Sequence, residues 1–132
     1  SWATAAAPGL IIYSHGGVVQ IDLDGDGHEQ TGWVLFYLHI SSKDRVKVGT
    51  HVRQGDRIGH PSCEGGISEA SHLHFARKYN GEWIAADGPL PFVLSGWQAH
   101  STGKSYDGTL TRAQQTRTAC ECWDKKFNGI KH

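Results

Sequence analysis

The sequence has no methionine, four prolines, three cysteines, and no apolar run near the roughly 20 residues that span a bilayer. Each shortage excludes something. Without methionine, Ser1 is not expected to be the first encoded residue, and a processed or excised chain is the simplest expectation. Ser1 to Pro8 lack the basic and apolar regions of a signal peptide. An excess of charge is also missing, because 13 Lys and Arg balance 13 Asp and Glu. A nucleic-acid binder normally carries a basic surplus or patch, so neither a nucleic-acid partner nor a membrane span is expected. Cysteines number three, Cys63, Cys120 and Cys122. In an exported protein an odd count predicts a partner elsewhere or a free thiol. All three are disulfide candidates. A strained bridge within Cys120-Glu121-Cys122, weak metal binding by that pair, and pairing of Cys63 with an absent partner all stay open.

Glycine is the residue in excess, at 17 of 132. Many short segments bounded by glycine predict an all-β chain with tight turns, of a length that suits one domain with a core. Residues 10–23, LIIYSHGGVVQIDL, hold two β-rich runs broken by Gly16-Gly17, and Val19 and Ile21 alternate with polar neighbours. DLDGDGHEQTG is a polar turn leading to a third strand, Trp33 to Ile40, apolar enough to be buried on both faces. VKVGTHVRQGDRIG, residues 46–59, reads as short strands joined by glycine turns. A polar loop, 60–71, holds Cys63 and Gly65-Gly66. The next strand is His72 to Tyr79, closed by an Asn80-Gly81 hairpin turn. The expected organisation is an antiparallel sheet or barrel-sandwich-like core over residues 1–86, with 87–132 as an irregular C-terminal extension packed on the same domain.

Three of the nine histidines have strand-like surroundings. In His72-Leu73-His74 strand alternation puts both imidazoles on one face. His39, at the end of YLHI, is a third imidazole able to approach that face. Zinc with nearby imidazoles is a hydrolytic arrangement, since the metal polarises a carbonyl and acidifies its water while imidazoles carry protons. Two surface histidines facing solvent are the plain alternative. His15, His28, His51, His60, His100 and His132 lie mostly beside turns or at an end and read as solvated.

Together these segments carry a resemblance. YLHI, then VKVGTHVRQGDRIG, then SHLHFAR is similar to the pattern of lysostaphin-like zinc metallopeptidases, and ATAAAPGLI and GGVVQID resemble that family's small-residue strand and following hairpin. The resemblance covers roughly Ala3 to Tyr79. The long loop before HLH and the aromatic, glycine-rich tail are similar to the β-lytic branch, which cuts glycine-containing bonds of peptidoglycan. It implies His74 as a zinc ligand, His72 as the catalytic histidine, and His39 as a second imidazole that steadies the transition state. The family's other two ligands come from an H-x-x-x-D motif before the small-residue strand, and that motif is not in this sequence. The chain alone is therefore expected to be an inactive, N-terminally incomplete part of a zinc endopeptidase. The implied setting is bacterial and secreted or in the cell envelope. The implied partners are peptidoglycan peptide, a separate N-terminal fragment, or other copies of the chain. The competing reading is a non-catalytic scaffold that binds, regulates or self-assembles at the cell wall.

A second metal reading concerns Asp22-Leu23-Asp24-Gly25-Asp26-Gly27. Oxygens at positions one, three and five with glycine at six begin a calcium loop, but the twelfth position is Trp33 rather than glutamate. Asp22, Asp24 and Asp26 are calcium candidates, and an acidic turn that binds nothing is preferred on sequence grounds. Trp33, Tyr37 and Phe75 are expected in the core. Trp83 and Trp97 read as core or tail anchors before groove-lining residues.

Overall fold

Glycine and asparagine turns cut the apolar runs into hairpins, and a computed structural model shows how they assemble; it describes residues 1–66, 73–104 and 108–119. The chain divides into two units, Ser1–Ile84 and Ala85–His132. Among the described residues there is no helix, and every strand pairing is antiparallel, as an all-β reading requires.

In the first unit the strands are β1 (Ala3–Thr4), β2 (Gly9–His15), β3 (Val18–Asp22), β4 (Trp33–Leu38), β5 (His51–Val52), β6 (Arg57–Gly59), β7 (His74–Tyr79) and β8 (Glu82–Trp83). Six form one sheet in the order β5-β2-β3-β4-β7-β8, and β1 pairs with β6 in a second. The two sheets share one apolar core, built from Ala3, Ile11, Val19, Ile21, Leu35, Tyr37, Val52 and Ile58 with Ala5 and Ile40. Period-two alternation explains the choice of face: Val19 and Ile21 point inward from β3, Leu35 and Tyr37 from β4. The Asn80-Gly81 turn joins β7 to β8 with φ of 49° and 80°, the left-handed pair that a two-residue hairpin needs.

The third apolar run ends sooner than its hydropathy suggests. β4 stops at Leu38, because His39 turns into the left-handed region at φ 68°. Ile40 is then fully buried and bridges to Pro61 rather than continuing beside β3.

In the second unit, four strands replace the expected irregular tail: β9 (Val93–Leu94), β10 (Trp97–His100), β11 (Thr109–Arg112) and β12 (Gln115–Thr118), in the order β12-β11-β10-β9. Threonines at 109, 111, 116 and 118 favour extended backbone, and Ser95-Gly96 and Ala113 adopt the positive φ that closes the hairpins. Trp97 is 2% exposed beneath the guanidinium groups of Arg112 and Arg117, so it is a core anchor of this unit.

Tyr37 fastens the N-terminal segment to the main sheet: its hydroxyl accepts the Ala6 amide at 2.8 Å. Burial pushes its phenol up from 10.0 to about 12. A raised phenol favours the folded state at low proton cost only while neutral, so this contribution is complete below pH 10 and is lost as pH rises towards 12. Tyr37→Phe is expected to cost about 1–2 kcal/mol at neutral pH through the unpaired Ala6 amide. The same change should remove about 3 kcal/mol of the alkaline decline in stability, measured by urea unfolding across that range.

Candidate active site

Strand register brings two of the three singled-out histidines together. Leu38 of β4 is the partner of His74 of β7, and Tyr37 of Phe75, so His39 emerges beside His74. Their rings are stacked at 26° with centroids 6.4 Å apart. His39 is 5% exposed, while His74 reaches the surface at the start of its strand. His72 lies outside the described residues.

His39 is gripped along its whole length. Its carbonyl accepts the Ser62 amide at 2.7 Å and the Ser62 hydroxyl at 3.2 Å. The Ile40 amide donates to the Gly17 carbonyl at 2.9 Å. In the ring, Nδ1 lies 2.8 Å from the Glu64 carbonyl. A carbonyl only accepts, so Nδ1 carries the proton and the neutral ring has its lone pair on Nε2. A bulky residue at positive φ costs about 1–3 kcal/mol, and such strain concentrates at functional sites.

Glu64 positions His39 with its main chain and is itself held by its side chain. Its carboxylate accepts the Ser42 amide at 2.9 and 2.8 Å and hydroxyls of Ser42 and Ser41, and it lies 3.6 Å from Arg45. The Ser42 amide, then the two hydroxyls and Arg45, hold this carboxyl below the usual range. The glycines make the approach feasible. A Cβ on Gly17 would meet the Glu64 carbonyl at 2.6 Å, and one on Gly65 would meet the Gly16 carbonyl at 2.6 Å. Glu64, Ser62 and Gly17 were invisible as site residues in the sequence; the paired glycines at 16–17 and 65–66 were the one signal, read there as a break between two β-rich runs and as part of a polar loop.

Elsewhere, Asp22, Asp24 and Asp26 converge in the β3–β4 loop. Burial, followed by the neighbouring carboxylates, drives the Asp22 carboxyl above the usual range, although the Gly27 amide opposes this. Cys63 is an exposed free thiol, and Cys120 and Cys122 lie outside the described residues, as does His132. His60 is not simply solvated, since its ring packs against Trp2 at a tilt of 36° and Nε2 lies 3.4 Å from Asp44. His51 and His100 are strand residues, and His100 hydrogen-bonds Thr111 at 2.9 Å.

A zinc ion needs about three protein ligands. Among the described residues the only trio of candidate ligand atoms within reach of one another is the three aspartates, so His39 and His74 do not by themselves fit a zinc site. What they do form is a buried, tautomer-fixed imidazole stacked beside a more exposed one, an arrangement suited to proton transfer.

Comparison with known proteins places this antiparallel β-domain and its paired imidazoles. The chain belongs to Peptidase family M23, whose model matches residues 3–86. It is 27% identical to beta-lytic metalloendopeptidase of Achromobacter lyticus over 89% of this chain and 30% of that protein. It is 41% identical to glycyl-glycine endopeptidase of Staphylococcus capitis over 70% of this chain and 25% of that protein. It is 40% identical to lysostaphin of Staphylococcus staphylolyticus over 78% of this chain and 20% of that protein. The chain thus spans a third or less of the length of these relatives. Its fold is similar to that of the solved M23 metalloprotease pseudoalterin, with a TM-score of 0.71 at 22% identity, covering 94% of this chain and 71% of that one.

Two neighbouring substitutions separate strain from displacement at the site. Gly16→Ala meets nothing within 4 Å, whereas Gly17→Ala strikes the Glu64 carbonyl, and both positions have positive φ. Gly16→Ala is expected to cost about 1 kcal/mol and Gly17→Ala about 2–3 kcal/mol by urea unfolding. Only Gly17→Ala should lose the slowly exchanging His39 Nδ1 proton from the imidazole NMR spectrum.

Proposed function

We propose that this chain is the larger part of a zinc-dependent endopeptidase domain that hydrolyses glycine-containing peptide cross-links of bacterial peptidoglycan. The observation that carries the proposal is the stacked pair His39–His74, with His39 held at positive φ and its Nδ1 proton on the Glu64 carbonyl. Membership of Peptidase family M23 supports the peptidase chemistry, and the names of the endopeptidase relatives support the class of bond.

In this reading His74 is a zinc ligand, and His72 and His39 are the catalytic imidazoles. Among the described residues no group of three or more candidate ligands includes His74. Zinc, when bound, polarises a carbonyl and lowers the pKa of its water. What this chain supplies is orientation. With Nδ1 on the Glu64 carbonyl, the neutral His39 ring carries its lone pair on Nε2, and its strained backbone is braced by Ser62 and Gly17 against rotation. An extracellular or cell-envelope location follows from such a substrate.

Hydrolysis of pentaglycine by the full encoded protein tests this. His39→Ala is expected to lower the rate by roughly a hundredfold or more while zinc content holds, and His74→Ala should lose both. Residues 1–132 alone should neither hold zinc nor cleave. A full-length product without zinc or cleavage, or an unaffected His39→Ala variant, would sink the proposal and leave the non-catalytic scaffold.

A further inference from the structure

The β3–β4 loop takes no part in the histidine site, yet it contains a buried charge with an unmatched oxygen. Asp22, at the end of β3, has no solvent exposure. Its Oδ2 accepts the Gly27 amide at 2.8 Å, while Oδ1 is buried with no hydrogen-bond partner. Exposed Asp24 and Asp26 turn towards the same point, so that one oxygen from each of the three carboxylates lies within 4.8 Å of the others. Among the described residues no salt bridge reaches any of them, and the loop's other acid, Glu29, is already paired with Lys78.

Such an arrangement is unfavourable by itself. Like charges repel at this separation, and a buried carboxylate oxygen without a partner has lost its hydration for nothing. The loop nonetheless holds the acids in place. Asp24 Oδ1 accepts the Asp26 amide at 3.1 Å, and Asp26 accepts the His28 amide at 2.8 Å and the Thr31 hydroxyl. Gly32, at φ 70°, leaves the space that the other Asp24 oxygen occupies, since a Cβ there would come within 2.5 Å of it.

We propose that Asp22, Asp24 and Asp26 bind a hard divalent cation, calcium in the first place, which supplies the missing partner of Asp22. An all-oxygen donor set suits calcium or magnesium and not zinc. Calcium accepts irregular sets of about six to eight oxygens, which loop carbonyls and water can complete, whereas magnesium demands near-ideal octahedral geometry. Trp33 stands where a bidentate glutamate would complete a helical calcium loop, so the affinity belongs to the weak extracellular range, roughly 10⁻⁴–10⁻³ M. The bound ion would fasten the connection between the strands that lead to His39. This inference is independent of the peptidase reading, because none of its ligands belongs to the histidine site.

Calorimetric titration of the chain with calcium chloride, and thermal unfolding in calcium against potassium chloride of equal ionic strength, test it. Saturable binding and a Tm higher by several degrees at about 10 mM calcium are expected. Asp24→Asn keeps the acceptor for the Asp26 amide and should weaken binding roughly tenfold or more with little change in Tm without calcium. Asp22→Asn should abolish the calcium response and leave the ion-free protein no less stable; should it not fold, Asp24→Asn decides. No binding and no Tm shift, or an Asp24→Asn variant that binds like the parent, overturns the site. An equal or larger response to magnesium overturns the choice of calcium.

Discussion

A side chain at position 17 would overlap the Glu64 carbonyl, and the histidine site depends on the room that its absence leaves. The main chain of Gly17 comes against the 64–65 segment, which delivers one carbonyl to His39 Nδ1 while Gly17 offers its own to the Ile40 amide. Between these contacts His39 is turned to φ 68°, out of β4 and towards His74. Strain of about 1–3 kcal/mol at that residue is offset by several hydrogen bonds of order 1 kcal/mol each. Removing the close approach would therefore release both the ring and the backbone that aims it.

The β3–β4 hairpin connects this site with the rest of the first unit. At one end its loop gathers three carboxylates; at the other, the Gly16-Gly17 turn before β3 and His39 after β4 meet the Glu64 segment. Between them, Val19, Ile21, Leu35 and Tyr37 bury the inward face of both strands in the shared core. The ends of such a hairpin are the places where side chains escape the packing rules of the sheet, and both are used to concentrate polar groups. Tyr37 belongs to both worlds, as a core ring whose hydroxyl also ties down the N-terminal segment.

Family membership rests on residues 3–86, the part of the chain whose segments also carry the resemblance visible in the sequence. The second unit forms a small antiparallel sheet around Trp97, and nothing in its sequence announced four strands as clearly as Asn80-Gly81 announced the β7–β8 turn. Threonine alternation over 109–118 is a weak periodic signal, because threonine serves in loops as readily as in exposed strands.

The sequence by itself determined the all-β class, the break between two β-rich runs at Gly16-Gly17, the polar loop between β3 and β4, and the order of motifs that marks the family. These are local properties: strand period, turn chemistry and residue spacing act within a few positions. Only the tertiary structure decided that β4 ends one residue before His39, that β4 and β7 align so as to stack His39 on His74, and that Glu64 fixes the imidazole tautomer. It also decided that Asp22 is buried with an unpartnered oxygen, where the sequence allowed an idle surface turn. The partner of His39 Nδ1 lies 25 positions away and that of the Gly32 amide 48 positions away, and no local pattern encodes such pairings.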